Sequence, residues 1–147
     1  MAPAAHTDVH GIDVERLRVE RLQRLRDTMA AQGVGALVLT HAPHVGYATG
    51  HGVPAADASM GNVRRAVAVV RADGDRPHLV GGEPEGLDVV AHPGSTPDTD
   101  DGARTLAAVL DDVCGDLPAE QVAVDGWTGP MLRAGTPPLV GSVDARP

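Results

Sequence analysis

Residues 21–52 read RLQRLRDTMAAQGVGALVLTHAPHVGYATGHG, and this stretch decides the fold. In its first part, and in the residues just before it, apolar side chains recur at helical steps: Val14, Leu17, Leu22, Leu25 and Met29. This spacing predicts an amphipathic helix over residues 13–32. The apolar run 36–40 (ALVLT) follows almost at once and predicts a short buried strand. A helix that leads directly into a buried strand indicates an α/β fold.

The segment after this strand is rich in glycine and proline. Six such residues lie between positions 41 and 65, which predicts an irregular segment with at most a turn or two of helix at residues 45–48. Irregular segments of this length are uncommon in compact domains unless they serve a site or are disordered. This segment is therefore the first candidate for a functional region.

The remainder of the chain continues to alternate between strand and helix patterns. Residues 66–71 (AVAVVR) and 77–80 (PHLV) flank an Asp-Gly-Asp turn, which predicts a hairpin. The proline predicts that the second strand of this hairpin is short or lies at a sheet edge. The further predicted elements are a brief helix at 87–91, a long helix at 101–114, a strand at 121–125, a short helix at 128–133 and a final strand at 139–143.

Length and composition indicate one globular domain. A chain of 147 residues buries roughly 68–70% of its unfolded surface, which is enough for a single core. With no Phe, one Tyr and one Trp, that core must be built from Val, Leu, Ala and Met. We predict a flexible tail over residues 1–11 and one domain over residues 12–147.

Charge and cysteine content restrict the possible functions. The net charge of −8 argues against a nucleic-acid partner, because phosphate binding requires clustered Lys and Arg. The basic residues at 16–26 alternate with acidic ones and predict a solvated helix face. The longest aliphatic runs are too short to cross a bilayer, so no membrane partner is expected. The single cysteine, Cys114, favours a cytoplasmic location.

Three stretches taken together resemble a known family. They are residues 21–52, the hairpin sequence AVAVVRADGDRPHLV at 66–80 and the VDG at 124–126. Their order is similar to that of the N-terminal domain of the creatinase, prolidase and aminopeptidase P family, whose members carry a T-D-P-x-N-x-x-Y-L-T-G-F type loop. The residues that match this loop are Thr40, Val45, Tyr47, Thr49 and Gly50. The resemblance implies a ribonuclease H-like α/β fold, in which helices flank a mixed sheet.

The resemblance also implies a role without chemistry of its own. In complete family members, a second domain of pita-bread fold supplies two Asp, one His and two Glu ligands to a pair of divalent metals. This chain stops at Pro147, where that domain would begin. We therefore expect no cofactor in this chain and divalent metals only in a partner catalytic domain. The implied function is an accessory and dimerisation domain, itself a homodimer, that assembles with a pita-bread catalytic chain and shapes its substrate entrance.

The same resemblance indicates candidate site residues. His44, Tyr47 and His51 are the expected substrate-entrance or binding contacts, although burial of Tyr47 in the core is an alternative. At four positions, His41, His44, Ala48 and His51, the chain departs from residues that the family often carries. A metal site built from His41, His44 and His51 with Asp57 has the right ligand types, but its spacing matches no known signature, so no metal site is predicted.

Trp127 and Met131 are predicted interface residues, with core packing as the alternative. Two other hypotheses on function stay open. The chain is either a stand-alone small-molecule enzyme with His44 or His51 as general base, or a domain cut from a full-length metallopeptidase. Nothing in these residues selects among peptide cleavage, amidine hydrolysis and lyase chemistry as the reaction of a full enzyme.

Overall fold

The computed structural model describes residues 11–52, 66–93, 96, 97 and 99–126. The helices and strands within these residues are α1 (Val14–Ala31), β1 (Ala36–Leu39), α2 (Ala42–Thr49), β2 (Ala66–Arg71), β3 (His78–Gly81), β4 (Val90–His92), α3 (Asp100–Cys114) and β5 (Val122–Val124). The predicted tail, apart from its last residue, lies outside the described residues, as do the short helix predicted at 128–133 and the strand predicted at 139–143.

The five strands form one mixed sheet in the order β4-β3-β2-β1-β5. β2 pairs antiparallel with both β1 and β3, whereas β5 pairs parallel with β1 and β4 pairs parallel with β3. One cluster of buried side chains joins the sheet to α3, and a second joins the opposite face to α1 and α2. The mixed sheet between helical layers is the α/β architecture that the resemblance implies.

β2 shows why this sheet is buried on both faces. Val67 and Val69 pack in the cluster that contains α3, whereas Ala68 and Val70 pack in the cluster that contains α1 and α2. All four side chains are fully buried. A strand with helices on both faces has no solvent side, so it reads as a continuous apolar run, as AVAVV does here.

The boundaries of α1 agree with the sequence-based prediction. Asp13 caps its start, because the carboxylate accepts a hydrogen bond of 2.9 Å from the backbone N–H of Arg16. It ends at Ala31, Gln32 is its C-cap residue, and Gly33 follows with a φ of +70°, a left-handed conformation that glycine adopts without strain. Both helix ends are therefore encoded locally.

Helix α2 is longer than the sequence predicted. It spans Ala42–Thr49, with Pro43 in the first turn, where the missing N–H of proline leaves no intrahelical hydrogen bond unmade. Gly50, with a φ of +79°, ends the helix. In the sequence, the proline at the start of this helix and the glycine at its end can be interpreted as signs of an irregular segment.

One further prediction needs correction. The brief helix at 87–91 is wrong, because Val90–His92 forms strand β4. The prediction that the second hairpin strand is short or at an edge is confirmed by its length: β3 has four residues, and β4 lies beside it as the edge strand. Pro77 precedes β3, and its carbonyl accepts a hydrogen bond of 2.9 Å from the N–H of Val90. A strand of three residues is too short to show a pattern, and pairing with β3 overrides the local preference.

No helix in the described part of the chain has both the length and the apolar character required to cross a membrane.

The α3 side of the core is sensitive to loss of volume. Leu106 lies in the middle of α3 and is completely buried against the sheet. We expect Leu106→Ala to lower the free energy of unfolding by about 2–5 kcal/mol, because the truncation leaves a cavity in a packed core. Urea unfolding followed by circular dichroism measures this difference. Val19→Ala is the matched control, since Val19 is 62% exposed on α1, and it should change the free energy by no more than about 0.5 kcal/mol. Equal effects of the two substitutions would contradict the described packing.

A pair of histidines on neighbouring strands makes stability depend on pH. His78 on β3 and His92 on β4 stack, with 2.8 Å between His78 Nδ1 and His92 Nε2. Burial lowers the pKa of His78, and His92 and Arg76 lower it further, while Asp112 on α3 acts in the opposite direction. The unfolded chain therefore binds a proton at a higher pH than the folded chain does.

We expect the free energy of unfolding to fall as the pH decreases below about 6.5, the pKa of an unperturbed histidine. His78→Gln should flatten this pH dependence, and His92→Gln should make the loss of stability smaller, because without His92 the pKa of His78 in the folded chain lies closer to its ordinary value. Urea midpoints measured at a series of pH values test both statements. A His78→Gln variant with the pH profile of the wild type would contradict this assignment.

Candidate functional site

The candidate site forms where two parallel strands end side by side. β1 and β5 are neighbours in the sheet and run in the same direction, so their carboxyl ends lie side by side at the same end of the strands. Thr40 and His41 follow β1, and Asp125 follows β5. The backbone N–H of Asp125 donates to the carbonyl of Val38 at 3.2 Å, which places the Asp125 side chain beside the start of α2.

The Asp125 carboxylate accepts hydrogen bonds on both of its oxygens. The N–H and the hydroxyl of Thr40 donate to Oδ1 at 2.7 and 2.8 Å. The N–H of His41 donates to Oδ2 at 3.1 Å, and Nδ1 of His44 lies 2.8 Å from the same oxygen. His41 is the N-cap residue of α2, but its own side chain makes no capping hydrogen bond. Asp125 therefore satisfies the backbone N–H of the N-cap residue from a neighbouring strand, and this contact is the cap that Asp125 gives to α2.

The Asp125 carboxylate is stabilised in its ionised form. Its side chain is only 13% exposed, and burial by itself raises the pKa of a carboxyl group. The hydrogen bonds from His44, Thr40 and His41 outweigh burial, so the pKa of Asp125 lies below its ordinary value. The partial positive charge at the start of a helix favours the same ionised form.

Two imidazole rings stand over this carboxylate. Their centroids are 5.6 Å apart, and the side chains of His41 and His44 are 43% and 57% exposed. Nδ1 of His41 lies 3.2 Å from Asp125 Oδ2 but is buried and makes no hydrogen bond, because the atoms are not aligned for one. Within the ranges that the structure describes, these three residues are the one group of metal-ligating side chains close enough to hold an ion.

Tyr47 lies one helical turn beyond His44 and does not pack in the core. It is 40% exposed, and the guanidinium of Arg21 on α1 lies 5.8 Å from the centre of its ring. Residues three apart on a helix share a face, so His44 and Tyr47 are neighbours on the exposed side of α2. The alternative that Tyr47 is a core residue is wrong.

His51 lies at the opposite end of α2 from His44. It follows the end of α2 and lines a surface cleft of about 410 Å³, together with side chains that include Arg18, Glu83 and Glu85. His44 lies in the first turn of the same helix, so the structure does not bring the three predicted contacts into one site. A general base has to lie where a substrate can reach it, and the position of His51 beside a cleft meets that requirement.

The remaining predicted residues fall elsewhere. Asp57, Trp127 and Met131 lie outside the described residues. Sequence reasoning missed Asp125 as a site residue, although the VDG at 124–126 was noticed as part of the family pattern. The signal available was a carboxylate directly after a short buried strand, at the end where a parallel neighbour also stops.

The described residues do not fit the metal centre of the family's catalytic domain. That centre requires two Asp, one His and two Glu ligands, whereas the group found here has two His and one Asp. No hydrolytic step at this site can be derived from the family's chemistry.

The role of Asp125 is tested by a substitution that keeps its shape. Asp125→Asn retains one acceptor oxygen, but the amide nitrogen cannot accept from His41 and His44. We expect the free energy of unfolding to fall by about 1 kcal/mol at neutral pH, because the part-buried N–H of His41 and the ring of His44 lose their acceptor. Asp88→Asn is the control for loss of charge, since Asp88 is exposed and lies 4.0 Å from Arg76. The free energy of unfolding of this control variant should stay within about 0.5 kcal/mol of the wild-type value. An Asp125→Asn protein as stable as the Asp88→Asn protein would refute the capping role.

Comparisons with known proteins agree with this fold. The family model of the Creatinase/Prolidase N-terminal domain matches residues 21–134. No protein with a curated description matches the chain significantly. Among solved structures, that of an XXA-pro aminopeptidase from Streptococcus pyogenes is similar with a TM-score of 0.54 and 19% identity, over 82% of this chain and 84% of that chain. At this identity the likeness concerns the fold alone. Because the family model covers well over half of the sequence, the chain belongs to the creatinase/prolidase N-terminal domain family.

Proposed function

We propose that this chain is a non-catalytic accessory domain that assembles with a pita-bread catalytic domain and forms part of its substrate entrance. Membership of the N-terminal domain family supports an accessory role. The observation that carries the proposal is the exposure of His44 and Tyr47 on one face of α2. An exposed aromatic side chain beside an exposed imidazole is typical of a contact surface rather than of a core helix.

The exposed apolar side chains favour the same side of the molecule. Among the described residues, the large hydrophobic side chains that remain exposed are Ile12, Val19 and Tyr47. Ile12 precedes α1, Val19 lies on α1 and Tyr47 lies on α2, so all three belong to one helical layer. We propose this α1 and α2 layer as the side that meets the catalytic domain.

The Tyr47 ring has a contact on the neighbouring helix that favours one orientation before any partner binds. Arg21 lies over the ring at 5.8 Å from its centre, an arrangement that combines a cation with the electron-rich face of an aromatic ring. A side chain that is already ordered loses less conformational entropy on binding. Such residues are well suited to serve as anchors at an interface.

Three further parts of the proposal rest on the sequence. Trp127 and Met131 are proposed interface residues, and two copies of the chain are proposed to associate as a homodimer. A cytoplasmic location is proposed from the lone cysteine. Cys114 is buried and free, and burial raises the pKa of its thiol to about 11, so it stays protonated and poorly reactive.

Binding to a catalytic domain can be measured directly. We expect the purified chain to form a complex with the pita-bread domain of a metallopeptidase from the same organism at micromolar concentrations. Tyr47→Ala together with His44→Ala should weaken this complex about tenfold or more, because aromatic anchors carry a large share of interface energy. Surface-immobilised binding assays give the affinities, and light scattering of the chain alone gives its own oligomeric state.

Arg104→Ala is the matched control. Arg104 is exposed on α3, on the opposite side of the sheet from α2, so its loss should leave the affinity unchanged. Absence of a complex at micromolar concentrations would reject the accessory role. A complex that the α3 substitution weakens and the α2 substitutions leave intact would reject the proposed surface.

A further inference from the structure

We propose that His41, His44 and Asp125 form a binding site for one divalent transition-metal ion of the zinc class. This site goes beyond the accessory role and does not rest on it. It also departs from the expectation, drawn from the sequence, that the chain holds no metal. One ligand atom from each of the three residues lies within 4.8 Å of the others.

The separations between these atoms suit a small ion. A tetrahedral zinc ion with ligands at about 2.0–2.1 Å places its ligand atoms about 3.3 Å apart. Asp125 Oδ2 lies 3.2 Å from His41 Nδ1 and 2.8 Å from His44 Nδ1. The first distance already fits, the second has to widen by about 0.5 Å, and the ring nitrogens of the two histidines, which lie within 4.8 Å of each other, have to approach to about 3.3 Å. A rotation of the half-exposed His44 ring supplies that movement.

The state of His41 Nδ1 is the strongest indication of a missing ligand. This atom is buried from solvent and has no hydrogen-bond partner, although it faces a carboxylate oxygen at 3.2 Å. A buried ring nitrogen without a partner is costly in a folded protein. A metal ion bound between Nδ1 and the carboxylate would satisfy both atoms at once.

The carboxylate is already oriented to act as a ligand. Thr40 donates two hydrogen bonds to Asp125 Oδ1, which fixes the plane of the carboxylate and turns Oδ2 toward the histidines. Such supporting hydrogen bonds are typical of carboxylates that bind metals. Gly126 keeps space for the His41 ring, because a Cβ atom at this position would lie 3.2 Å from His41 Cε1.

The protons can be accounted for without a co-reactant. When its Nδ1 carries the proton, His44 donates to Asp125 Oδ2. Metal binding requires the other neutral tautomer, so the proton is released from Nδ1 and one is taken up at the exposed Nε2 from solvent. Asp125 is already ionised at neutral pH and loses no proton. The neutral site therefore binds a divalent ion with no net loss of protons.

The ligand types select the class of metal. Two imidazoles and one carboxylate suit zinc and its transition-metal neighbours, whereas calcium and magnesium require mostly oxygen ligands. Three protein ligands leave a fourth position, and the exposure of both histidines leaves that position open to water. The positive end of α2 opposes a cation here, and the charge of Asp125 offsets that effect.

A second histidine pair provides the matched control. His78 and His92 are also close, with 2.8 Å between ring nitrogens, but no third metal-ligating side chain of the described residues joins them. They lie on β3 and β4, at the other edge of the sheet from β5. Replacing both of them removes at least as many histidines as either single substitution at the proposed site does, and it leaves the proposed ligands in place.

The test is titration of the purified chain with zinc chloride, followed by calorimetry. We expect one equivalent to bind, and we expect His41→Gln and His44→Gln each to weaken binding about tenfold or more. The double variant His78→Gln with His92→Gln should bind zinc as the wild type does. Titration with cobalt should give the strong visible absorption of a tetrahedral site in the wild type and in the double variant.

The nitrogen resonances of the histidine rings in the wild type provide a second measurement that needs no variant. Zinc should shift Nδ1 of His41 and His44 and leave the rings of His78 and His92 unchanged. The inference is overturned if zinc does not bind, if binding survives in both single variants, or if the affected rings are those of another pair.

Discussion

The hydrogen bonds of one carboxylate connect three parts of this fold. Asp125 lies at the end of β5, accepts from Thr40 and His41 after β1, and thereby caps the start of α2. The N-cap residue of α2 does not do this itself, since the side chain of His41 makes no capping hydrogen bond. The direction in which α2 leaves the sheet therefore depends on a residue 84 positions away in sequence. Every candidate contact on α2 takes its position from that arrangement.

The layered core gives the molecule two different sides. Small aliphatic residues of β2 face α3 on one side and α1 with α2 on the other, so both faces of the sheet are sealed without phenylalanine. Among the described residues, the large apolar side chains that remain exposed belong to the α1 and α2 layer, and so do the histidines near Asp125. The described residues of α3 serve mainly to pack against the sheet. This division places the proposed contact surface and the proposed metal ligands on the same side of the domain.

The three histidines around α2 show how a short helix separates residues that are close in sequence. His44 and His51 differ by seven positions, yet one lies in the first turn beside Asp125 and the other lies beyond the last turn in a cleft with Arg18 and Glu83. A helix of eight residues rises about 1.5 Å per residue, so its two ends are more than 10 Å apart. Reading residues 41–65 as irregular hid this separation. Recognition of a helix with proline at its start and glycine at its end would have revealed it.

The sequence by itself determined the family, the layered α/β architecture and the limits of α1 and α3. These features follow from local causes: the apolar stripe of a helix, the cap at Asp13, the glycine at position 33 and the unbroken apolar run of a doubly covered strand. Only the tertiary structure decided that β4 is a strand, that β3 is internal and that Asp125 joins His41 and His44. Each of these depends on which strands pair in the folded sheet, and such pairing leaves no periodic pattern in a segment of three residues.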